Sequence, residues 1–222
     1  MKSILKFSSL FSSIIALLIV AKIDNPCDDY NNLPFCQFSW VTWEEQVYDS
    51  SFKKLQKHNS LYEKNIKNRV IQLISHYRTG LKKANIESLS ARIIHESKKY
   101  SYDPLFLTAV IITESSFYNW SRSKKGALGL MQIRPATGKE LASEVRLQWK
   151  GKLTLFDPET NITLGTYYLN KLVLQFGDLG LALEAYNHGP SRVKGYLKKG
   201  YRPKRYSQKV FQHYSALKSP SI

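Results

Sequence analysis

The run LFLTAVIITESSF, Leu105 to Phe117, limits what this chain can fold into more than any other stretch. Leu105, Phe106, Leu107, Ala109, Val110, Ile111 and Ile112 place apolar side chains on every side of a helix. A helix apolar all round has no face to offer water and belongs inside a core. Asp103 followed by Pro104 fixes its start, as an N-cap and a proline at the first helical position. Glu114, one turn past Val110 and Ile111, is then expected where that core meets a cleft. Desolvation disfavours the ionised form, so its carboxyl should stay protonated near neutrality. A general acid needs that state. The plainer reading is a glutamate reaching solvent at a helix end, because perturbed carboxylates mark sites only statistically.

The rest of the chain reads as more helices. Phe52, Leu55, Tyr62, Ile66, Val70, Leu73 and Tyr77 recur at three- and four-residue steps or their sums, which predicts a long amphipathic helix ending near Gly80. Packing as a strap on the next domain or pairing as a coiled-coil seam would both use that stripe. Shorter helices are expected over 88–100, from Pro104, from Pro135 through Leu141, from Pro158 to about Phe176, and over 179–186. The last of these stops at Asn187-His188-Gly189-Pro190. Tyr206, Val210, Tyr214 and Leu217 space out a final one. No stretch alternates convincingly as a strand, so the expected class is all-α. The expected organisation is a signal or anchor over 1–23, a loop and long helix over 24–85, and a multi-helix domain over 86–222.

With 222 residues, 43% of them hydrophobic, the chain can bury a sizeable core, and its length suggests one domain plus extra material. Lys2 and Lys6 precede the apolar run Leu10 to Val20, the plan of a secretory signal. Ile19 stands two places before Ala21, where a cleavage site wants a small residue. An uncleaved anchor from about Ile4 to Ile23 therefore stays open beside a cleaved leader. Cys27 and Cys36 are the only cysteines, and in an oxidising compartment they read as a disulfide. Closing so short a loop stabilises by roughly 2.5–3 kcal/mol in the chain-entropy model. Two cysteines without a nearby histidine do not complete a metal-ligand set, and the five histidines show no ligand spacing. No metal or cofactor is expected.

The formal charge is +16, with the excess late in the chain. After Glu184 no acidic residue appears, while Arg192, Lys194, Lys198, Lys199, Arg202, Lys204, Arg205, Lys209 and Lys218 follow. Such a field attracts nucleic acid, anionic lipid or an anionic wall polymer. Tyr196, Tyr201, Tyr206, Phe211 and Tyr214 interleave with these cations, as stacking side chains do in single-strand binders. An export signal argues against nucleic acid, and Tyr206, Val210 and Tyr214 fit a buried helix stripe.

Two further motifs accompany Glu114. SKKGALGLMQI, Ser123 to Ile133, joins a glycine-rich loop to an apolar helix start; Gly126 and Gly129 permit close backbone approach, and Gln132 offers both donor and acceptor. An ordinary turn feeding a core helix, with Met131 as filler, explains the same residues. AYNHGP, Ala185 to Pro190, is also plain helix-stop chemistry.

In order and spacing, however, four blocks resemble the soluble lytic transglycosylase-type (SLT) domain, a lysozyme-like all-α fold that cleaves peptidoglycan. They are Glu114-Ser115-Ser116-Phe117, then Gly126 through Gln132, then Phe156-Asp157-Pro158 with Asn161-Ile162 and Gly165, and finally Ala185 through Pro190. The resemblance covers roughly 88–217. It implies that Glu114 is the catalytic acid and that the Ser123 hydroxyl lies near the substrate's N-acetyl group. Gly129, Met131 and Gln132 would belong to the sugar-binding groove, and Tyr186 and Asn187 to the motif facing the acid. It also implies peptidoglycan glycan strands as partner, an envelope location, and cleavage of the MurNAc-β-1,4-GlcNAc bond to a 1,6-anhydro end. Glycosidases usually flank the bond with two carboxylates. Here Asp157 reads as an N-cap, Glu140 and Glu144 as an exposed face, and Glu184 as a helix-end charge. A substrate that supplies its own hydroxyl and acetamido group needs one carboxylate.

Departures from the family pattern are His188, where a small residue is usual, Arg134, where an apolar one is common, and Pro203-Lys204-Arg205, where some members carry an acid. His188 reads as a solvated loop residue or as an extra polar contact to the sugar. Rival readings are a lysozyme-like hydrolase on the same fold and a non-catalytic wall- or polyanion-binding subunit of an envelope complex. Protein partners are not legible.

Overall fold

The computed structural model describes residues 43–219. The signal or anchor segment and the Cys27–Cys36 loop lie outside the described residues. The chain divides into two compact units, 1–58 and 59–222. The first helix, α1 (Trp43–Ser75), begins in the former. In the second unit it is buried at Ile66, Val70 and Ile74, whereas Tyr62 of the expected stripe is exposed and the helix ends at Ser75, short of Gly80; the Arg69 guanidinium donates to the Leu217 carbonyl at 2.7 Å.

The second unit continues with α2 (Lys83–Lys99), α3 (Pro104–Ser115), α4 (Pro135–Glu144), a 3-10 turn (Lys152–Phe156), α5 (Pro158–Phe176), α6 (Leu179–His188), α7 (Pro190–Lys198) and α8 (Arg205–Lys218). Among the described residues there is no strand, only isolated bridges joining Arg122 to Leu128 and Leu128 to Ile133. The class is all-α. No helix among the described residues is long and apolar enough to cross a membrane.

Helix α3 is the core element. Every residue from Leu105 to Ile112 is buried, and each fully buried large aliphatic side chain stabilises by about 1.5–3 kcal/mol. Its start follows the sequence: the Asp103 carboxylate accepts from the Leu105 N–H at 2.8 Å, ahead of Pro104. Asp157 caps α5 in the same way through the Thr160 N–H at 2.8 Å. Asp178 caps α6 through the Leu181 N–H at 2.7 Å. Helix α3 packs against both α2 and α8, and α6 packs against α5, α7 and α8.

Several elements differ from expectation. Met131 and Gln132 are not the start of a helix; they form a turn, and α4 begins only at Pro135. Gly189-Pro190 not only stops α6 but opens α7, because a proline at the first helical position gives up no needed N–H. The basic stretch after it is therefore helical through Lys198. Glu184 is not a helix-end charge. It is wholly buried on the inner face of α6, where its Oε1 accepts from the Ser207 N–H at 2.7 Å and the Ser207 hydroxyl at 2.9 Å. His188 is not a solvated loop residue either. It ends α6, half-buried, with Nε2 3.4 Å from Glu184 Oε2.

Candidate active site

Glu114 occupies the last turn of α3, where the apolar helix runs out of core. The chain then reverses through Ser116 and Phe117, both left-handed at φ 49° and 60°. Non-glycine residues in that region are uncommon, and they collect where a site over-determines the backbone. Phe117 is wholly buried against Tyr77, ring centroids 5.5 Å apart, which anchors the turn and leaves Glu114 partly exposed beside it.

Burial pushes the Glu114 carboxyl up to about 7 from its ordinary 4.5, while a hydrogen bond from Tyr206 and the charge of Lys209 pull it partway back. The Tyr206 hydroxyl donates to Glu114 Oε1. Near neutrality the acid is therefore poised between its two protonation states, as a group that first gives and then takes a proton requires. Burial also raises Tyr206 and Tyr186 well above the usual phenol range, and the nearby Glu114 charge adds to both. Both phenols remain neutral donors.

The glycine-rich loop is built as a bracket, joined to Tyr186, which feels the Glu114 charge. Asn161, buried on α5, accepts from the Met131 N–H at 2.7 Å and donates to the Leu128 and Leu155 carbonyls at 3.1 and 2.8 Å. All of its amide capacity but one lone pair is thereby spent on backbone. Gly129 lies against it at φ 78°; a Cβ there would sit 2.3 Å from both Asn161 Nδ2 and the Leu155 carbonyl. Gly129 thus serves close packing inside the loop. The Met131 side chain is wholly buried against Gly165, whose own Cβ would fall 2.5 Å from Met131 Sδ. What Met131 offers outward is its carbonyl, which accepts from the Tyr186 hydroxyl at 2.8 Å. Gln132, at φ 50°, donates to the Gly129 and Ser121 carbonyls at 2.9 and 3.3 Å, closing the loop on itself.

Beside Tyr186 opens a pocket of about 350 Å³, walled by Gln132, Ile133, Arg134, Tyr168, Asn187 and neighbouring side chains. Tyr186, Asn187 and Gln132 line it. Glu114 is not on its wall; Tyr186 borders the pocket and feels the Glu114 charge, so it joins the two. Ser123 is exposed, and its hydroxyl accepts from the Ala127 N–H at 3.0 Å outside that wall. Gly129 and Met131 do not line the pocket either.

Two residues of the site have roles that the sequence does not assign, although Asn161 belongs to one of the four blocks. Tyr206 reads there only as part of a buried stripe. A signal existed: a buried tyrosine hydroxyl seeks a partner, and α3 offers carboxylates only at its two ends. The other is Asn161, whose buried amide fixes the loop. Among the described residues, the groups that shift Glu114 are Tyr206 and Lys209, with no carboxylate beside them. Glu184 lies near Tyr206, but none of its surface reaches solvent. Glu144 is exposed and held by Lys171 and Tyr167 at 2.7 Å.

The transglycosylase SLT domain family matches residues 91–209, more than half of the chain. A transglycosylase of Enterobacteria phage PRD1 is 34% identical over 121 residues, 54% of this chain and 41% of the phage protein. The soluble lytic murein transglycosylase of Salmonella typhimurium is 38% identical over 94 residues, 41% of this chain and 15% of that protein. The chain thus spans less than half the length of either relative. Among solved structures, the lytic transglycosylase Slt of Pseudomonas aeruginosa, in an inactive glutamate-to-glutamine mutant, aligns with a TM-score of 0.52 at 31% identity. That alignment covers 57% of this chain and 23% of the Pseudomonas one.

Proposed function

Because the chain belongs to the transglycosylase SLT domain family, we propose that it is a peptidoglycan lytic transglycosylase with Glu114 as its one acid and base. The observation that carries this reading is a carboxyl held near 7 by burial at the end of an apolar helix, hydrogen-bonded by one tyrosine. In the first step Glu114 gives its proton to the oxygen between MurNAc and GlcNAc, and the bond from that oxygen to the MurNAc anomeric carbon breaks. In the second, the Glu114 carboxylate takes the proton of the MurNAc 6-hydroxyl as that oxygen bonds the anomeric carbon. The products are a free GlcNAc 4-hydroxyl and a 1,6-anhydro end, with Glu114 protonated again. No water is consumed, so no second carboxylate is required to activate one. Tyr206 holds the acid's orientation and steadies its ionised state between the steps.

In this scheme Gln132, Tyr186 and Asn187 contact the glycan, with Ser123 near an N-acetyl group. Gly129 and Met131 act through the loop they shape rather than by side-chain contact. The Gln132 carboxamide oxygen stays available, since its nitrogen is spent on the loop. The work would be done in the bacterial envelope, the location that an export signal or anchor over 1–23 would give it.

Mass spectrometry of purified peptidoglycan digested with the full chain tests the proposal, with Glu114→Gln alongside. Anhydro-muropeptides are expected from the first and none from the second. Reducing ends instead would make the protein a hydrolase, and no release from either would leave a binding subunit.

A further inference from the structure

Glu184 is wholly buried on α6, and the reaction proposed above makes no use of it. A buried carboxyl is costly unless donors meet it. Its Oε1 accepts from the Ser207 N–H at 2.7 Å, while Oε2 makes no hydrogen bond among the described residues and lies 3.4 Å from His188 Nε2. Ser207 stands in the first turn of α8, where backbone N–H groups have no partner within the helix. Lys204, the N-cap of α8, supplies no side-chain acceptor. Glu184 therefore caps this end of α8 from a neighbouring helix, at the end where the helix dipole favours a carboxyl.

Tyr206 immediately precedes Ser207 in that turn, and its hydroxyl donates to Glu114. Tyr186 also feels the acid's charge, but its own hydroxyl is taken by the Met131 carbonyl at 2.8 Å. The contact with Glu114 therefore depends on where the first turn of α8 sits. The tie between Tyr214 and Asp103 lies eight residues further on, about 12 Å along the helix, and leaves that turn free. Helix ends fray, and fraying here would lift the phenol off the acid. We propose that Glu184 is a positioning residue for Glu114: by accepting from the Ser207 N–H it fixes the first turn of α8 and so holds the Tyr206 hydroxyl on the acid. This inference rests on the reading of Glu114 as the acid and base, and it deepens that reading by naming what holds its hydrogen-bond donor.

Positioning and direct charge act on Glu114 with opposite signs. Loss of the Tyr206 bond takes away a donor that favours the ionised acid, so its pKa rises; loss of a negative charge at residue 184 would by itself lower it. The other groups facing the contact are Tyr186 and His188 on α6 and Lys209 on α8, and the substitutions leave them in place. Carbon NMR titration of the Glu114 carboxyl in the full chain, assigned with Glu114→Gln, reads the sign without any substrate. Glu184→Ala should raise the midpoint from about 7 to roughly 8. Glu184→Met, closer in volume and equally without an acceptor, should do the same and serves if Glu184→Ala does not fold. Glu184→Gln keeps an oxygen for the Ser207 N–H and should leave the midpoint at or below its parental position. In a Tyr206→Phe background Glu184→Ala should add no further rise. A midpoint that stays or falls without the acceptor, one that Glu184→Gln raises equally, or a rise undiminished without the phenol overturns the proposal; a purely structural role would lower stability and leave the midpoint where it was. Release of anhydro ends against pH is followed in parallel, and its alkaline limb should move with the midpoint. The expected midpoints without anhydro ends remove the enzyme and leave the positioning; anhydro ends with a midpoint indifferent to residue 184 leave the enzyme and remove the positioning.

Discussion

Replacing Glu114 by glutamine should make the folded protein more stable above neutrality while abolishing the proposed reaction. In the folded state burial holds this carboxyl at about 7, against 4.5 in an open chain. Between those values the folded protein binds a proton that the unfolded one has released. Stability from this group is therefore fully present below about 4.5 and is lost as pH rises through about 7. The gap amounts to about 3 kcal/mol, accumulating at about 1.4 kcal/mol for each step in pH. The amide introduced by Glu114→Gln does not ionise, and its carbonyl oxygen can still accept from Tyr206, so the variant lacks the loss without losing the contact. Urea denaturation of both proteins at pH 4 and pH 8 isolates the effect, because every other titrating group is common to the pair. The stability of the variant relative to the parent should rise by about 3 kcal/mol between the two pH values. A difference that stays flat would mean that Glu114 has an ordinary pKa. A difference that falls would mean a carboxylate stabilised as an anion, which could not serve as the acid at neutral pH.

Tyr206→Phe removes the hydrogen bond that favours the ionised form, so the alkaline limb of the pH–rate profile should move above its parental position near 7, while the maximal rate falls. A limb that moves down would show that Tyr206 favours the neutral acid instead. Glu184→Ala leaves the Ser207 N–H without its buried acceptor, while the Ser207 hydroxyl keeps the Lys204 carbonyl, and should cost about 1–3 kcal/mol; guanidinium titration against Ser207→Ala and the double variant should give a coupling above experimental error. Gly129→Ala and Gly126→Ala both sit at φ near 80°, but only the first meets atoms within 4 Å. The first should therefore lower stability by several kcal/mol and the second by about 1 kcal/mol, and equal losses would make backbone strain the whole effect.

What was readable in the chain is what its physics makes local. Asp103-Pro104 and Asp157-Pro158 announce their helices because cap and proline act within one turn. Glu114 stands out because the residues that desolvate it come directly before it in sequence. Tyr206 lies 92 positions from the carboxylate it bonds, and nothing in its own neighbourhood points there. Glu184 misled for the opposite reason: a carboxylate near a helix end suggests solvent, and only Ser207, 23 positions later, makes its burial tolerable. Helix α7 is short, Pro190–Lys198, and buries a single residue, Val193. Gly189-Pro190 reads equally well as an ending and as a beginning.

Helix α8 holds α3 at both ends: the Tyr214 hydroxyl donates to the free oxygen of the Asp103 cap at 2.7 Å, and Tyr206 donates to Glu114. A polypeptide is made from its N-terminus, so the acid of α3 exists roughly ninety residues before the phenol that tunes it. Until α8 has emerged and docked, the carboxyl has its burial only in part and no donor at all. In the proposed role, a protein that cuts wall polymer is in this way assembled with its cutting group finished last, and a chain interrupted before α8 is left without a working edge.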